Sequence, residues 1–137
     1  MNRVPKPMTS TENSDESNVQ VEVETQYLPD QSDPQGQRFA FAYTITIRNG
    51  GEEAVRLLNR HWIITDGDNQ VQEVHGEGVV GKQPLIEPGE SFSYTSGAVL
   101  DTAVGTMEGS YEMISASGRP FIAPIEVFSL VQPSALH

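Results

Sequence analysis

The sequence feature that most constrains the fold is a strict alternation of side-chain character between residues 39 and 48. Every second residue there is large and apolar: Phe39, Phe41, Tyr43, Ile45 and Ile47. Successive side chains of a β-strand point to opposite faces of the sheet, so the pattern predicts one long strand with a single buried face. No window of the sequence has the 3.6-residue apolar period of a long helix.

Seven further extended segments are predicted from alternation and from the Gly, Pro, Asn and Asp residues between them. They are Val19–Val23, Val55–Thr65, Gln70–Val74, a short piece around Leu85 and Ile86, Phe92–Val99, Met107–Ile114 and Phe121–Val131. Seven to eight short strands with turns between them are typical of an all-β, antiparallel sandwich of the immunoglobulin or fibronectin type III class. We expect Val19–Val23 at a sheet edge, and the strand containing Pro124 either at an edge or bulged. Pairing between copies at an exposed edge would give a weak homo-oligomer.

Composition sets the limits of the domain. Residues 1–18 contain two prolines, no aromatic residue and many polar side chains, which predicts a disordered tail. The folded domain is predicted over residues 19–131, with a short tail at residues 132–137. Without a signal peptide or an apolar run of about 20 residues, we expect a cytoplasmic location and no direct membrane insertion.

Charge and cysteine content exclude several classes of function. The chain has eight Lys and Arg against nineteen Asp and Glu, a net charge of −11, so it repels phosphate backbones and nucleic acid is not an expected partner. It has no cysteine, which excludes disulfides, thiolate metal sites and cysteine nucleophiles. No serine-hydrolase, metalloprotease or P-loop motif and no obvious pair of acid and base carboxylates is present, so the sequence predicts a protein that is not an enzyme.

The sharpest motif is Gly76-Glu77-Gly78-Val79-Val80-Gly81, which matches G-x-G-x-x-G. A dinucleotide site requires a helix after these glycines, and extended chain with Pro84 follows instead. A weaker hypothesis is an anion site, in which backbone N–H groups at Gly76, Gly78 and Gly81 act together with Lys82. The alternative is a tight loop that uses glycine for its positive φ angles.

A second candidate lies on the segment Val55–Thr65. Simple alternation places Arg56, Arg60 and Trp62 on one face, and Trp and Arg are common in the binding hot spots of proteins. We therefore consider them as contacts for an unidentified protein partner. The alternatives are a buried core tryptophan and an arginine stem packed along the sheet.

Metal binding has weak candidates in His61 and His75. Two histidines can bind a divalent ion with nearby carboxylates if their ligand atoms converge on one point, and they cannot if they lie on opposite faces. The run Asp66-Gly67-Asp68-Asn69 lacks the remaining ligands of a calcium loop and is interpreted as a turn. No cofactor is predicted.

Several motifs in a fixed order carry a family resemblance. They are Arg60–Asp66, Val74–Pro84, Ile86–Phe92, Tyr94–Gly97, Gly105–Tyr111 and Phe121. Together they closely resemble the bacterial ApaG family (the DUF525-type domain) over about Val19–Val131. The resemblance implies a fibronectin-type-III-like β-sandwich and brings no catalytic residue with it.

The resemblance also implies a function. Similar domains in eukaryotic F-box proteins and in a DNA-polymerase-delta-interacting protein look like protein-binding modules, and bacterial members are associated with cobalt resistance and magnesium efflux. We therefore expect a non-enzymatic protein-binding module. The alternatives are a sensor of a small anion or pyrophosphate-containing nucleotide on the glycine-rich loop, and a divalent-metal-binding protein.

Overall fold

A computed structural model of the chain describes residues 18–136, and eight β-strands account for most of them. The strands are β1 (Val19–Tyr27), β2 (Phe39–Asn49), β3 (Val55–Asp66), β4 (Val71–Glu77), β5 (Leu85–Ile86), β6 (Ser91–Leu100), β7 (Val104–Ser115) and β8 (Pro120–Val131). The other elements from residue 19 onward are short 3-10 turns at Pro29–Gln31, Pro34–Gly36 and Pro133–Leu136. The predicted disordered tail falls on residues 1–17, outside the described part, and on Asn18.

The strands form two antiparallel sheets. One has the order β1-β2-β6, and the other has the order β4-β3-β7-β8 with β5 paired to β3. The predicted all-β antiparallel sandwich is therefore confirmed, with eight strands. Within residues 18–136, no helix is both long enough and apolar enough to span a bilayer.

The alternating apolar side chains of β2 form one buried face, as predicted. Phe41, Ile45 and Ile47 are at most 1% exposed and face the second sheet, where Tyr111 and Met113 are fully buried. Burying one such side chain stabilises the fold by about 1.5–3 kcal/mol. The hydroxyl groups of Tyr94 on β6 and Tyr111 on β7 are hydrogen-bonded, which ties the two sheets together through the core.

A tight turn joins β3 to β4 and fixes their register. The carboxylate of Asp66 accepts hydrogen bonds from the N–H groups of Asp68 and Gln70 at 2.8 and 2.9 Å, and Asn69 has a φ of +65°. The turn predicted from these residues is confirmed. Its register places His61 directly opposite His75.

Five strands lie at sheet edges among the described residues: β1 and β6 in one sheet, and β8, β4 and the two-residue β5 in the other. The predicted edge positions of the strands that contain Val19–Val23 and Pro124 are confirmed. Since β8 pairs only with β7 in this part of the chain, Pro124 is accommodated at an edge, where its missing N–H is tolerated.

Candidate functional site

A β-bulge in β3 lies between Arg56 and the two residues predicted to share its face, Arg60 and Trp62. The register with β7 shifts between Leu57 and Asn59, and an extra residue at a bulge reverses the alternation beyond it. Leu57 before the shift and Trp62 after it are both buried. Arg56 is exposed beside buried Leu57 and lies on the outer face, so the prediction that it shares a face with Arg60 and Trp62 is wrong.

Trp62 is a core residue. It is 2% exposed, and its ring makes edge-on contacts with Tyr43 at 5.4 Å and Phe128 at 5.9 Å between centroids. A side chain buried this deeply cannot serve as an exposed contact for a partner. The alternative interpretation of Trp62, a buried tryptophan between the sheets, therefore fits the structure.

Both arginines hold the segment that follows β4. The guanidinium of Arg60 donates to the carbonyls of Glu77 and Gly78 at 3.1 and 2.9 Å. Arg56 donates to the carbonyl of Gln83 at 2.7 Å. The two side chains thus anchor both ends of the loop between β4 and β5, and their role in partner binding stays a prediction.

The glycine-rich motif begins within a strand, because β4 continues to Glu77. The prediction of a loop over Gly76–Gly81 is therefore wrong for its first two residues, Gly76 and Glu77. A Cβ atom at Gly76 would lie 2.5 Å from Cζ of Arg60. A Cβ atom at Gly78 would overlap the carbonyl oxygen of Lys82, and Gly78 and Gly81 have φ angles of +64° and +80°.

Hydrogen bonds within the loop occupy several of the amides that an anion would need. The N–H of Gly78 donates to the carbonyl of Leu58 at 2.8 Å. Val79 and Lys82 exchange N–H···O=C bonds at 2.8 and 2.9 Å across a two-residue turn. Each glycine thus has a structural reason, either a close contact or a positive φ, as the tight-loop alternative requires. Anion binding at Gly76, Gly78, Gly81 and Lys82 stays a prediction.

The two histidines, in contrast, lie side by side on the outer face of the larger sheet. Their rings stack with centroids 4.1 Å apart and an interplanar angle of 9°. Both Nε2 atoms lie 3.6 Å from the same carboxylate oxygen of Glu73. One ligand atom from each of the three residues lies within 4.8 Å of the others, so the arrangement could hold a metal ion.

Glu73 is not among the residues predicted to bind a metal, although the sequence contains a signal for it. A hairpin that turns at Asp66–Asn69 places residues 61 and 75 opposite each other. Glu73 lies two residues before His75 and must therefore project from the same face of the strand. Combining the turn with the alternation would have found all three residues.

A cleft lies between the two sheets, at the side where the edge strands β4 and β6 face each other. It is on the inner face of the larger sheet, opposite to the histidine pair. Its volume is about 310 Å³, and its lining includes Ser96 and Ala98 from β6, Gln72 and Val74 from β4, and Trp62 and Ile64 from β3. The sequence of β6, SFSYTSGAVL, contains neither a charged residue nor a proline.

Comparisons with known proteins agree on one family. A family model described as the ApaG domain matches residues 29–115. A protein named ApaG from Dechloromonas aromatica is 57% identical over 126 residues, which covers 90% of this chain and 99% of the relative. A protein of the same name from Pseudomonas paraeruginosa is 60% identical over 119 residues, covering 87% and 94%.

Solved structures are similar as well. A crystal structure of a Bordetella pertussis protein has a TM-score of 0.83 and 51% identity, covering 84% of this chain and 94% of that protein. An X-ray structure of a structural-genomics target has a TM-score of 0.85 and 49% identity, covering 89% and 92%.

Proposed function

Since this chain belongs to the ApaG family, we propose that it is a non-enzymatic, cytoplasmic protein-binding domain whose partner adds an extended segment to the β6 edge. On this proposal, the association of bacterial relatives with cobalt resistance and magnesium efflux arises through the partner. Nucleic acid and the membrane are not partners. The observation that carries the proposal is the difference between β6 and the other three long edge strands.

An edge strand presents a row of unpaired N–H and C=O groups, and proteins normally protect it with charges, prolines or bulges. Apart from the two-residue β5, three of the four edge strands are protected in this way. β1 carries Glu22 and Glu24, β4 carries Glu73 and Glu77, and β8 carries two prolines and Glu126. β6 is ten residues long, pairs only with β2 among the described strands, and has no such residue. An added strand from a partner would therefore meet no charged side chain or proline on β6 that disfavours pairing.

The cleft beside β6 supplies specificity for such a segment. Alternate side chains of an added strand would point inward, over the space between β6 and β4. The floor of this space is apolar at Ile64 and Val74, while Gln72 and Arg60 provide polar groups at its sides. A segment with small or apolar residues at every second position fits this cleft.

The charge of the chain adds a requirement for the remaining positions of the partner. At a net charge of −11, the surface attracts basic side chains and repels acidic ones. We expect Lys or Arg at the outward positions of the segment. Their contribution should be larger for the association rate than for the final affinity.

The test uses a library of random linear peptides selected against the full chain. A selected peptide is synthesised, and its affinity is measured by calorimetry for the wild type and for the variant Ser96→Lys. Ser96 lines the cleft, so the lysine places a protective charge on β6, and we expect the affinity to fall by about tenfold or more. Amide chemical shifts should change along β6 in the wild type.

Thr25→Lys is the matched control, because it adds the same charge to the other edge of the same sheet at an exposed position of β1. This variant should bind the peptide as the wild type does. Equal loss in both variants, or unchanged binding in Ser96→Lys, would overturn the proposal. The β6 edge could instead be paired with a second copy of the chain, and sedimentation of the free protein tests this alternative. A dimer that is present in the wild type and lost in Ser96→Lys would assign the edge to that second copy.

A further inference from the structure

A second site lies on the outer face of the larger sheet, away from the β6 cleft. We propose that His61, Glu73 and His75 bind a divalent transition-metal ion of the zinc class. The three residues come from the adjacent strands β3 and β4, where His61 pairs directly with His75. A hairpin is a rigid support, so its ligands are held near one another before an ion arrives.

The spacing of the ligand atoms suits tetrahedral coordination. A zinc ion binds imidazole nitrogen and carboxylate oxygen at about 2.0–2.2 Å, which puts neighbouring ligand atoms about 3.4 Å apart. Each histidine Nε2 lies 3.6 Å from Oε1 of Glu73, close to that spacing. The two rings are stacked and nearly parallel, so the exposed His75 ring must turn out of the stack for both nitrogen lone pairs to point at one ion.

A buried ring nitrogen of His61 is available to coordinate an ion. Nε2 of His61 is buried and has no hydrogen-bond partner in the structure. Its distance of 3.6 Å to Glu73 is too long for a hydrogen bond. A buried polar atom without a partner is unfavourable, and a metal ion coordinated by this nitrogen would remove the cost.

The chemistry of the donors selects the class of ion. Two imidazoles and one carboxylate suit zinc and neighbouring transition metals, whereas magnesium and calcium prefer shells made of oxygen alone. Glu108 and Glu112 project from the same face of the sheet and favour a cation near it.

Three protein ligands leave a coordination position open for water or for a further ligand. A groove of about 520 Å³ runs from the histidine pair across β3 and β7 and is lined by Asn59, Ser110, Glu112 and Ile122. A ligand bound to the ion would therefore have polar groups of this groove beside it.

The test is a calorimetric titration of the metal-stripped full chain with Zn²⁺. We expect one ion per chain and a rise in melting temperature on binding. His75→Ala and Glu73→Gln should each weaken binding by at least about tenfold, since even outer-shell partners contribute that much. His75 and Glu73 are 71% and 55% exposed, so both variants should fold normally. Mg²⁺ and Ca²⁺ at the same concentration should give no heat.

Two matched controls test the assignment. Glu77→Gln removes the next outward carboxylate of β4, and His137→Ala removes the remaining histidine of the chain, which lies outside the described residues. Neither should change the affinity for Zn²⁺. Absence of binding to the wild type, unchanged binding in His75→Ala, or equal loss in His137→Ala would overturn the proposal. Long-range ¹H–¹⁵N spectra should show Nε2 of His61 and His75 shifting together.

Discussion

Arg60 on β3 lies opposite Gly76 on β4, and its guanidinium group occupies the space where a side chain at position 76 would begin. From this position the guanidinium reaches the carbonyls of Glu77 and Gly78. In the sequence the two residues fall in separate candidate sites, Arg60 in the partner contacts with Arg56 and Trp62, and Gly76 in the anion site of the glycine-rich motif. Their contact gives both of them a shared structural role.

Gly76→Ala should lower the free energy of unfolding by about 1–3 kcal/mol, because the new methyl group displaces the guanidinium from its two carbonyls. Urea denaturation measures the change. Gly97→Ala is the control: its Cβ would be at an ordinary 3.4 Å from the carbonyl oxygen of Phe41, so its effect should stay within about 0.5 kcal/mol. If Arg60→Ala and Gly76→Ala add fully in the double variant, the contact is not what makes the glycine necessary.

Gly109→Ala should cost more than Gly76→Ala. A Cβ atom at Gly109 would overlap the carbonyl oxygen of His61 on the neighbouring strand, and a backbone atom cannot move aside as an arginine side chain can. We expect a loss of about 3 kcal/mol, the upper end of the usual range for overpacking. The same urea experiment gives the ranking, and a stability equal to that of Gly97→Ala would show that β3 and β7 separate without cost.

The strands were predictable because each depends on local alternation. The buried face of β2, for example, follows from residues 39–47 without any knowledge of their neighbours. The bulge in β3 was not predictable in this way, since Leu58 carries no signal that distinguishes it from a regular strand residue. One extra residue there places Arg56 on the outer face, away from the inward-facing Arg60 and Trp62.

The two candidate sites also differ in how well the sequence predicts them, because their important contacts are between strands. The glycine motif is conspicuous along the chain, but its amides are largely occupied by contacts with Leu58 and Lys82 that only the fold reveals. The cluster of His61, Glu73 and His75 is inconspicuous, since its members are up to fourteen residues apart in sequence, and strand pairing brings them together. Identifying the turn at Asp66–Asn69 gives the register of the hairpin, and this register predicts which distant residues lie side by side.

Trp62→Ala should destabilise the fold by about 3–5 kcal/mol, as truncation of a fully packed aromatic side chain usually does. An exposed partner contact would tolerate the same change with little loss of stability. Trp62 is the sole tryptophan of the chain, so its fluorescence provides a second measurement. Emission at short wavelength and weak quenching by acrylamide are expected in the native protein, whereas strong quenching would contradict its burial.

The hydrogen-bonded hydroxyls of Tyr94 and Tyr111 lie in the core between the sheets. Tyr94 is 7% exposed and Tyr111 fully buried. Desolvation raises the pKa of Tyr94 from 10.0 to about 12, and desolvation raises the pKa of Tyr111 as well. An ionised phenolate would be unfavourable at either position.

The stability of the protein should therefore depend on pH in the alkaline range. Below pH 10 both tyrosines are protonated in the folded and unfolded states, so their contribution is complete. Between pH 10 and about 12 the unfolded chain releases protons that the native core retains, and the free energy of unfolding should fall. Each tyrosine contributes a slope of up to about 1.4 kcal/mol per pH unit. Urea denaturation at a series of alkaline pH values measures this slope. The double variant Tyr94→Phe, Tyr111→Phe lacks both groups and should have a shallower slope, whereas an equal slope in both proteins would locate the alkaline transition elsewhere.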